Sequence, residues 1–305
     1  MTRPLFRLAP SPTGRLHAGH ALSAFLNRDL ARATGGVFLV RIEDIDPTRR
    51  NPEVIRALLD DLAWLGIVSD GPVRFQSAHL DDYRRALDRL QGMGLVEPSR
   101  ATRTLIRAAM ARDAAAGHPW PEDPDGAPRF PGDAAVLSEA DHARLAALGE
   151  PVAGRLVMAP ALAAARARDP ATGDWDEFDP TAPLDPARRT RVAGDPAAWG
   201  HVVIARKETP TSYPLSVVVD DALQGVTHVV RGADLFAQTS LHRLLQTLLG
   251  LPAPVYHHHR LIRDADGGKL SKSLGSVSLA DLRAGGATPA DVRRLVGLAD
   301  VAGKT

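Results

Sequence analysis

The chain opens with a short apolar run. Leu5, Phe6 and Leu8, within residues 4–9, predict a β-strand. From Ala18 to Thr34 the period changes: Leu22, Phe25, Leu26 and Leu30 recur three and four apart. That spacing predicts a helix with one buried face, and Gly35-Gly36 supply its stop. The run "VFLVRIED" predicts a second strand that ends at Glu43-Asp44. Strand, loop, helix and strand in such a short span describe a βαβ crossover.

Asn51-Pro52-Glu53 predicts the next helix start, with a capping side chain, a proline in the first turn and an early acid. Its stripe is Ile55, Leu58, Leu59, Leu62 and Leu65, stopped by Gly66. A third helix, begun by Ser77, carries Leu80, Tyr83, Leu87 and Leu90 and closes near Gly92 and Gly94. Patterning then fades. Residues 114–134 are rich in proline, residues 159–171 in alanine and arginine, and strand signals are weak from about 96 to 190. This stretch is expected to be an insertion with its own small structure. Regular patterning returns with "HVVIAR", "LSVVVDD" and "VTHVVRG", then a helix with Leu241, Leu244, Leu245 and Leu248 that ends at Gly250. Two βα-rich halves around an excursion predict an α/β fold with one open parallel sheet. The expected division is 1–95 and 191–260 for the two halves, 96–190 for the insertion, and 261–305 for a loop and a short helical C-terminal segment.

Composition narrows the class. Hydrophobic residues make up 44% of 305 and charged ones 24%, as in an ordinary globular protein. No apolar run reaches membrane-spanning length, so no membrane partner is expected. Met1-Thr2-Arg3-Pro4 lacks the apolar core of a signal peptide, which leads us to expect a cytoplasmic location. Cysteine is absent, which excludes disulfides and thiolate metal sites. The formal net charge is +1, so a nucleic-acid partner would be held by a local basic patch.

Two loops carry candidate chemistry. "RLAPSPTGRLHAGH", residues 7–20, lies between a predicted strand and a helix start, where backbone N–H groups and the helix dipole favour phosphate. Gly19 allows close approach to the backbone, and His17 and His20 can donate hydrogen bonds to phosphate oxygens. The two histidines are three apart with no glutamate between them, so the zinc-protease pattern is not met. The second loop is "GGKLSKS", residues 267–273, where Lys269 and Lys272 suit a polyphosphate whose charge grows as a bond breaks. It is not a Walker loop.

Taken together and in this order, HAGH and KLSKS resemble the HIGH and KMSKS signatures of class I aminoacyl-tRNA synthetases. The stretches "FRLAPSPTGRLHAGHA", "GGVFLVRIEDIDPTR", "YPLSVVVDDALQGVTHVVRGADL" and "GKLSKS" resemble the glutamyl branch, across roughly residues 5–95 and 198–275. Within it the resemblance is to the glutamyl-Q tRNA(Asp) synthetases. Only about thirty residues follow KLSKS, whereas an anticodon-binding domain would add on the order of 100–150. The resemblance implies a Rossmann-type catalytic domain with L-glutamate, ATP with Mg²⁺, and tRNA(Asp) carrying queuosine as partners. It implies activation of glutamate without tRNA, then transfer to the queuosine base in the anticodon loop; no protein partner is implied. Two other readings are a truncated glutamyl-tRNA synthetase that charges the 3′ end of tRNA(Glu), and a non-catalytic paralogue that binds glutamate or tRNA.

Residue roles follow from the same resemblance. Arg7, Ala9 and Ser11 match substrate residues of the first strand, and Glu43 matches the acid that holds the α-ammonium. Tyr213 and Arg231 match the later pair that shapes the glutamate pocket. Either Arg7 or Arg231 would take the side-chain carboxylate. His17, Gly19 and His20 match the ATP contacts at the helix start, Lys272 the residue on the leaving pyrophosphate, and Lys269 a helper. Asp220-Asp221 is read as following a strand in a structural role, outside the site. Many relatives hold a structural zinc in the insertion. Here Ser99 and Ala101 stand at the first two cysteine positions, so zinc is not expected, and packing or proline rigidity would hold the insertion instead. His257-His258-His259 alternate faces on a strand and do not converge on an ion, although one of them matches the family's Tyr-x-His stretch beside the nucleotide. Arg84, Arg85, Arg89, Arg103, Arg188, Arg189 and Arg191 are candidates for tRNA phosphate contacts.

Overall fold

The computed structural model describes residues 3–262 and 277–299. Its first part runs β1 (Leu5–Leu8), α1 (Ala18–Ala33), β2 (Val37–Ile42), α2 (Pro52–Trp64), β3 (Arg74–Phe75), α3 (Leu80–Gly92) and β4 (Val96–Ser99). The middle contains α4 (Arg103–Ala115), α5 (Glu139–Ala147), β5 (Ala153–Leu156), α6 (Met158–Arg166), β6 (Trp175–Phe178) and β7 (Arg189–Val192). The last part runs β8 (Val202–Ala205), α7 (Tyr213–Leu223), β9 (His228–Gly232), α8 (Thr239–Leu249), β10 (Val255–His259), α9 (Leu279–Ala284) and α10 (Pro289–Leu295).

The main sheet has the order β3-β2-β1-β9-β10-β6-β7, parallel except for β7 at its edge. β1 pairs with β2 on one side, Phe6 facing Phe38, and with β9 on the other, Phe6 facing His228. The order of the strands reverses between β1 and β9. In an open parallel sheet such a reversal leaves a crevice at the carboxyl ends of the strands. The expected α/β sheet is therefore present. α1 and α2 close over β1 and β2 through Phe25, Leu58 and Leu62, and Val292 and Val296 at the α10 end join the same core. Asn51 caps α2 as its sequence predicts, accepting from the Glu53 and Val54 amides.

Three sequence expectations change. "LSVVVDD" is helix α7 and not a strand, so Asp220 and Asp221 lie near a helix C-terminus. Its apolar residues are buried nearly all round, which erases the helical period and leaves a β-branched run that reads as a strand. The 96–190 stretch has its own elements but not its own core. β4 and β5 form a small antiparallel sheet with β8, and Leu156, Ala161 and Leu162 share one apolar cluster with Leu215 and Val218 of α7 and with Leu244 and Leu248 of α8. β6, from the same stretch, pairs with β10 in the main sheet.

The third change concerns what holds the Ser99–Ala101 turn. Ser99 donates to Asp133 Oδ1 at 2.7 Å, and the Arg100 and Ala101 amides donate to Asp133 Oδ2 at 2.6 and 3.3 Å. Arg155 reaches Ser99 Oγ at 3.1 Å and the His201 carbonyl at 3.0 Å, with its guanidinium 3.9 Å from the centre of the Phe130 ring. A carboxylate and a stacked guanidinium thus gather this turn, where packing or proline rigidity is expected from the sequence.

Candidate active site

A cleft of about 550 Å³ opens at the carboxyl ends of β1, β2, β9 and β10. Arg7, Ala9, Ser11, His17, Gly19, His20, Glu43, Tyr213 and Arg231 all line it. The family resemblance implies one site for these nine, and the fold brings them together from both halves of the chain. Lys269 and Lys272 lie outside the described residues. The flanks of their segment are placed: Ile262 lines the cleft, and Ser278 forms a β-bridge with His17 while the Leu279 amide donates to the Leu16 carbonyl.

The helix start explains its two histidines. His17 is the N-cap of α1, and its Nδ1 accepts from the Gly19 amide at 3.1 Å. His20 Nδ1 accepts from the His17 amide at 3.2 Å. This is a capping box in which imidazoles stand in for the usual hydroxyl and carboxylate. Because each Nδ1 acts as an acceptor, both rings in their neutral form carry the proton on Nε2, and each can offer that N–H as a donor. A side chain at position 19 would press its Cβ to 3.0 Å from the His17 ring, so glycine there lets the cap fold back.

Behind the pocket lies a buried ion network. Arg7 clasps Asp221 with two contacts, Nε to Oδ1 at 3.0 Å and Nη2 to Oδ2 at 3.3 Å. Arg41 is fully buried; its Nη1 donates to Asp221 Oδ1 at 2.7 Å and its Nη2 to Glu43 Oε1 at 3.3 Å. Asp220 accepts from Arg74 Nε and Gln76 Nε2, both at 2.8 Å, and from the Tyr83 hydroxyl. Burial disfavours the charge on Asp221, but Arg7 and Arg41 outweigh it and hold the carboxyl at about 2. Burial raises the Glu43 carboxyl above its ordinary range against the pull of Arg41 and Arg7. A ligand cation beside Glu43 would draw it back down.

Arg231 is held differently. Its Nε donates to His258 Nε2 at 3.1 Å, its Nη1 to His242 Nδ1 at 3.1 Å, and its Nη2 to Thr239 Oγ1 at 2.7 Å and the Leu235 carbonyl at 3.2 Å. These acceptors are all neutral. Burial, followed by the charge of Arg231, holds His242 well below the ordinary histidine range. Burial also pushes the Tyr213 phenol up to about 12, so it is a neutral donor at working pH. Among the described residues Arg7 is thus matched by a carboxylate, whereas Arg231, which also lines the cleft, donates to neutral acceptors.

Sequence reasoning missed Arg41, Asp220 and Asp221 as organisers of the site. The available signals were a guanidinium inside an apolar strand and two acids at the end of an apolar run. Several proposed tRNA contacts are engaged locally: Arg84 with Asp81, Arg85 with Asp82, Arg188 with Asp179 and Arg191 with Asp176, while Arg89 donates to the Leu249 carbonyl. The three histidines of β10 part company, as their alternation predicts. His258 turns to Arg231 and Glu177, whereas His259 lines the cleft.

The parallel sheet with its cleft at the switch point marks a class I aminoacyl-tRNA synthetase catalytic domain. The family of tRNA synthetases class I (E and Q), catalytic domain, matches residues 5–125 and 179–300, and the chain belongs to it, among the glutamyl-Q tRNA(Asp) synthetases. It is 48% identical to the Rhodobacter capsulatus glutamyl-Q tRNA(Asp) synthetase, over 96% of this chain and 99% of that one. It is 38% identical to the Nocardia farcinica protein of the same name, over 95% of this chain and 82% of that one. The crystal structure of glutamate-tRNA synthetase from Elizabethkingia anophelis superposes with a TM-score of 0.67 at 25% identity, covering 89% of this chain and 53% of the other.

Proposed function

We propose that the protein activates L-glutamate with ATP in the absence of tRNA and then transfers it to the queuosine base of tRNA(Asp). The observation that carries this reading is the convergence of Glu43, Arg231 and the α1 start on one cleft. Glu43 receives the α-ammonium of glutamate. Arg231 receives the side-chain carboxylate, since its neutral partners leave its charge available, while Arg7 is already matched by Asp221. Glutamine lacks that charge and loses the contact. Ala9 and Ser11 line the approach from the first strand, and Tyr213 closes the pocket with its neutral hydroxyl.

ATP lies along the start of α1, with its phosphates at His17, Gly19 and His20. The α-carboxylate of glutamate attacks the α-phosphorus in line. A new C–O–P linkage forms, the bond to the β-phosphate breaks, and pyrophosphate leaves. The carboxylate is already ionised, so the step needs positioning and charge stabilisation and no general base. Lys272, helped by Lys269, would stabilise the leaving pyrophosphate. Mg²⁺ would arrive on the phosphates of ATP. Among the described residues no group of three or more His, Asp or Glu side chains could cage an ion. In the second step a hydroxyl of the queuosine ring attacks the adenylate carbonyl, an ester forms and AMP departs.

The test is glutamate-dependent ATP–pyrophosphate exchange without tRNA, followed by transfer of labelled glutamate to tRNA(Asp) with and without queuosine. Exchange without tRNA, and transfer only to the queuosine-bearing tRNA(Asp), is the expected result. A requirement for tRNA(Glu), or ester formation at its 3′ end, would overturn it.

A further inference from the structure

The carboxylate of Glu177 lies one residue beyond the shell that touches Arg231. His258 Nδ1 is 2.5 Å from Glu177 Oε1, and the His258 amide donates to Oε2 of the same carboxylate at 3.2 Å. Trp175 Nε1 donates to Oε1 at 2.8 Å. The His258 ring is stacked parallel to Tyr256, with ring centres 6.0 Å apart, and Phe236 meets it edge-on at 5.1 Å. Neither Glu177 nor His258 lines the cleft. The cleft-facing end of this chain is Arg231, whose Nε–H points at His258 Nε2.

His258 Nε2 lies 3.1 Å from both Arg231 Nε and Thr239 Oγ1, and the guanidinium settles its role. A guanidinium only donates, so His258 Nε2 must accept. The ring proton then sits on Nδ1, where the Glu177 carboxylate accepts it. The carboxylate selects the tautomer, and the tautomer selects the orientation of the guanidinium. We propose that Glu177, acting through His258, is a positioning residue for glutamate recognition: it sets the imidazole that aims Arg231 at the side-chain carboxylate. This rests on the assignment of Arg231 to that carboxylate. The sequence carried no sign of it, because Glu177 lies in a stretch with weak strand signals and reaches β10 only through sheet pairing.

The relay has a pH signature. His258 faces Glu177 from β6, Arg231 from β9, His242 from α8 and its own neighbour His257. Burial lowers its pKa below the ordinary histidine value, while the hydrogen bond to Glu177 raises it in part. Protonation therefore sets in only on the acid side of that value. It places an N–H against the Arg231 N–H and pushes the guanidinium away. KM for glutamate should rise as pH falls, and without Glu177 this acid limb should move to lower pH.

The experiment measures ATP–pyrophosphate exchange in Glu177→Ala, Glu177→Gln and Arg231→Gln. Glu177→Ala should raise KM for glutamate about tenfold, leave KM for ATP and kcat within about threefold, and narrow the preference for glutamate over glutamine. Glu177→Gln keeps a carbonyl acceptor and should fall in between, with the acid limb shifted downward. If Glu177→Ala does not fold, as circular dichroism would show, Glu177→Gln decides alone through that shift. An unchanged KM for glutamate, an unshifted acid limb, or equal losses for both substrates would overturn the relay. Arg231→Gln separates the two claims. If it raises KM for glutamate and the Glu177 variants do not, only the relay fails; if it leaves KM unchanged, the assignment of Arg231 fails first.

Discussion

Asp221 is held between two guanidiniums that are themselves buried, so its charge is both costly to keep and expensive to remove. Its carboxyl is lowered to about 2 from an ordinary value of 3.8. The folded state therefore gains stability from this group above the unfolded pKa, and that gain is lost as pH falls from about 3.8 toward 2. Asp221→Asn should leave Arg7 and Arg41 under-compensated and cost about 3–5 kcal/mol at neutral pH. Denaturant melts across acidic pH should then show a shallower loss of stability than the parent protein between those two values. Glu43 shifts the opposite way, and its raised pKa keeps that carboxyl responsive to a bound cation.

The elements show how one chemical task passes between residue types. At α1 two imidazoles form the capping box, so the groups that cap the helix also line the cleft. At the β4 end, Asp133 ties the Ser99–Ala101 turn through a hydroxyl and two amides. Asp133→Ala strips their shared acceptor and should destabilise the protein by about 1–3 kcal/mol. Hydrogen exchange should locate the loosening at residues 99–101 and β5, with the α1 start unaffected. α1, α2 and α3 were legible because each has one buried face and clear stops. α7 was not, because burial on nearly every side removes the period that distinguishes a helix from a strand.

Across the whole molecule, the cleft draws residues from three strands, from Glu43 just past the end of β2, and from the starts of α1 and α7. A ligand that spans it ties both halves of the chain together. Glutamate with a non-hydrolysable ATP analogue, each at about 100 times its Kd, should therefore raise the melting temperature by several degrees, more than either alone. Bound at that excess, one ligand contributes about 2.7 kcal/mol. Calorimetric scans check this. If the two ligands together shift the transition no more than ATP analogue alone, glutamate is not entering the same cleft.

The sequence by itself determined the parallel βα framework and the histidine-bearing helix start, because local period, turn chemistry and spaced motifs are written in neighbouring positions; the other cleft residues came from the resemblance to a family. Tertiary structure alone decided which arginine is neutralised, since Arg7 meets Asp221 from 214 positions away. It decided that Glu177 stands behind His258, 81 positions on. It also decided that Asp133 gathers the Ser99–Ala101 turn. Charge compensation and hydrogen-bond direction depend on distance in space, and a linear pattern of hydrophobic and polar residues does not encode which distant side chains meet.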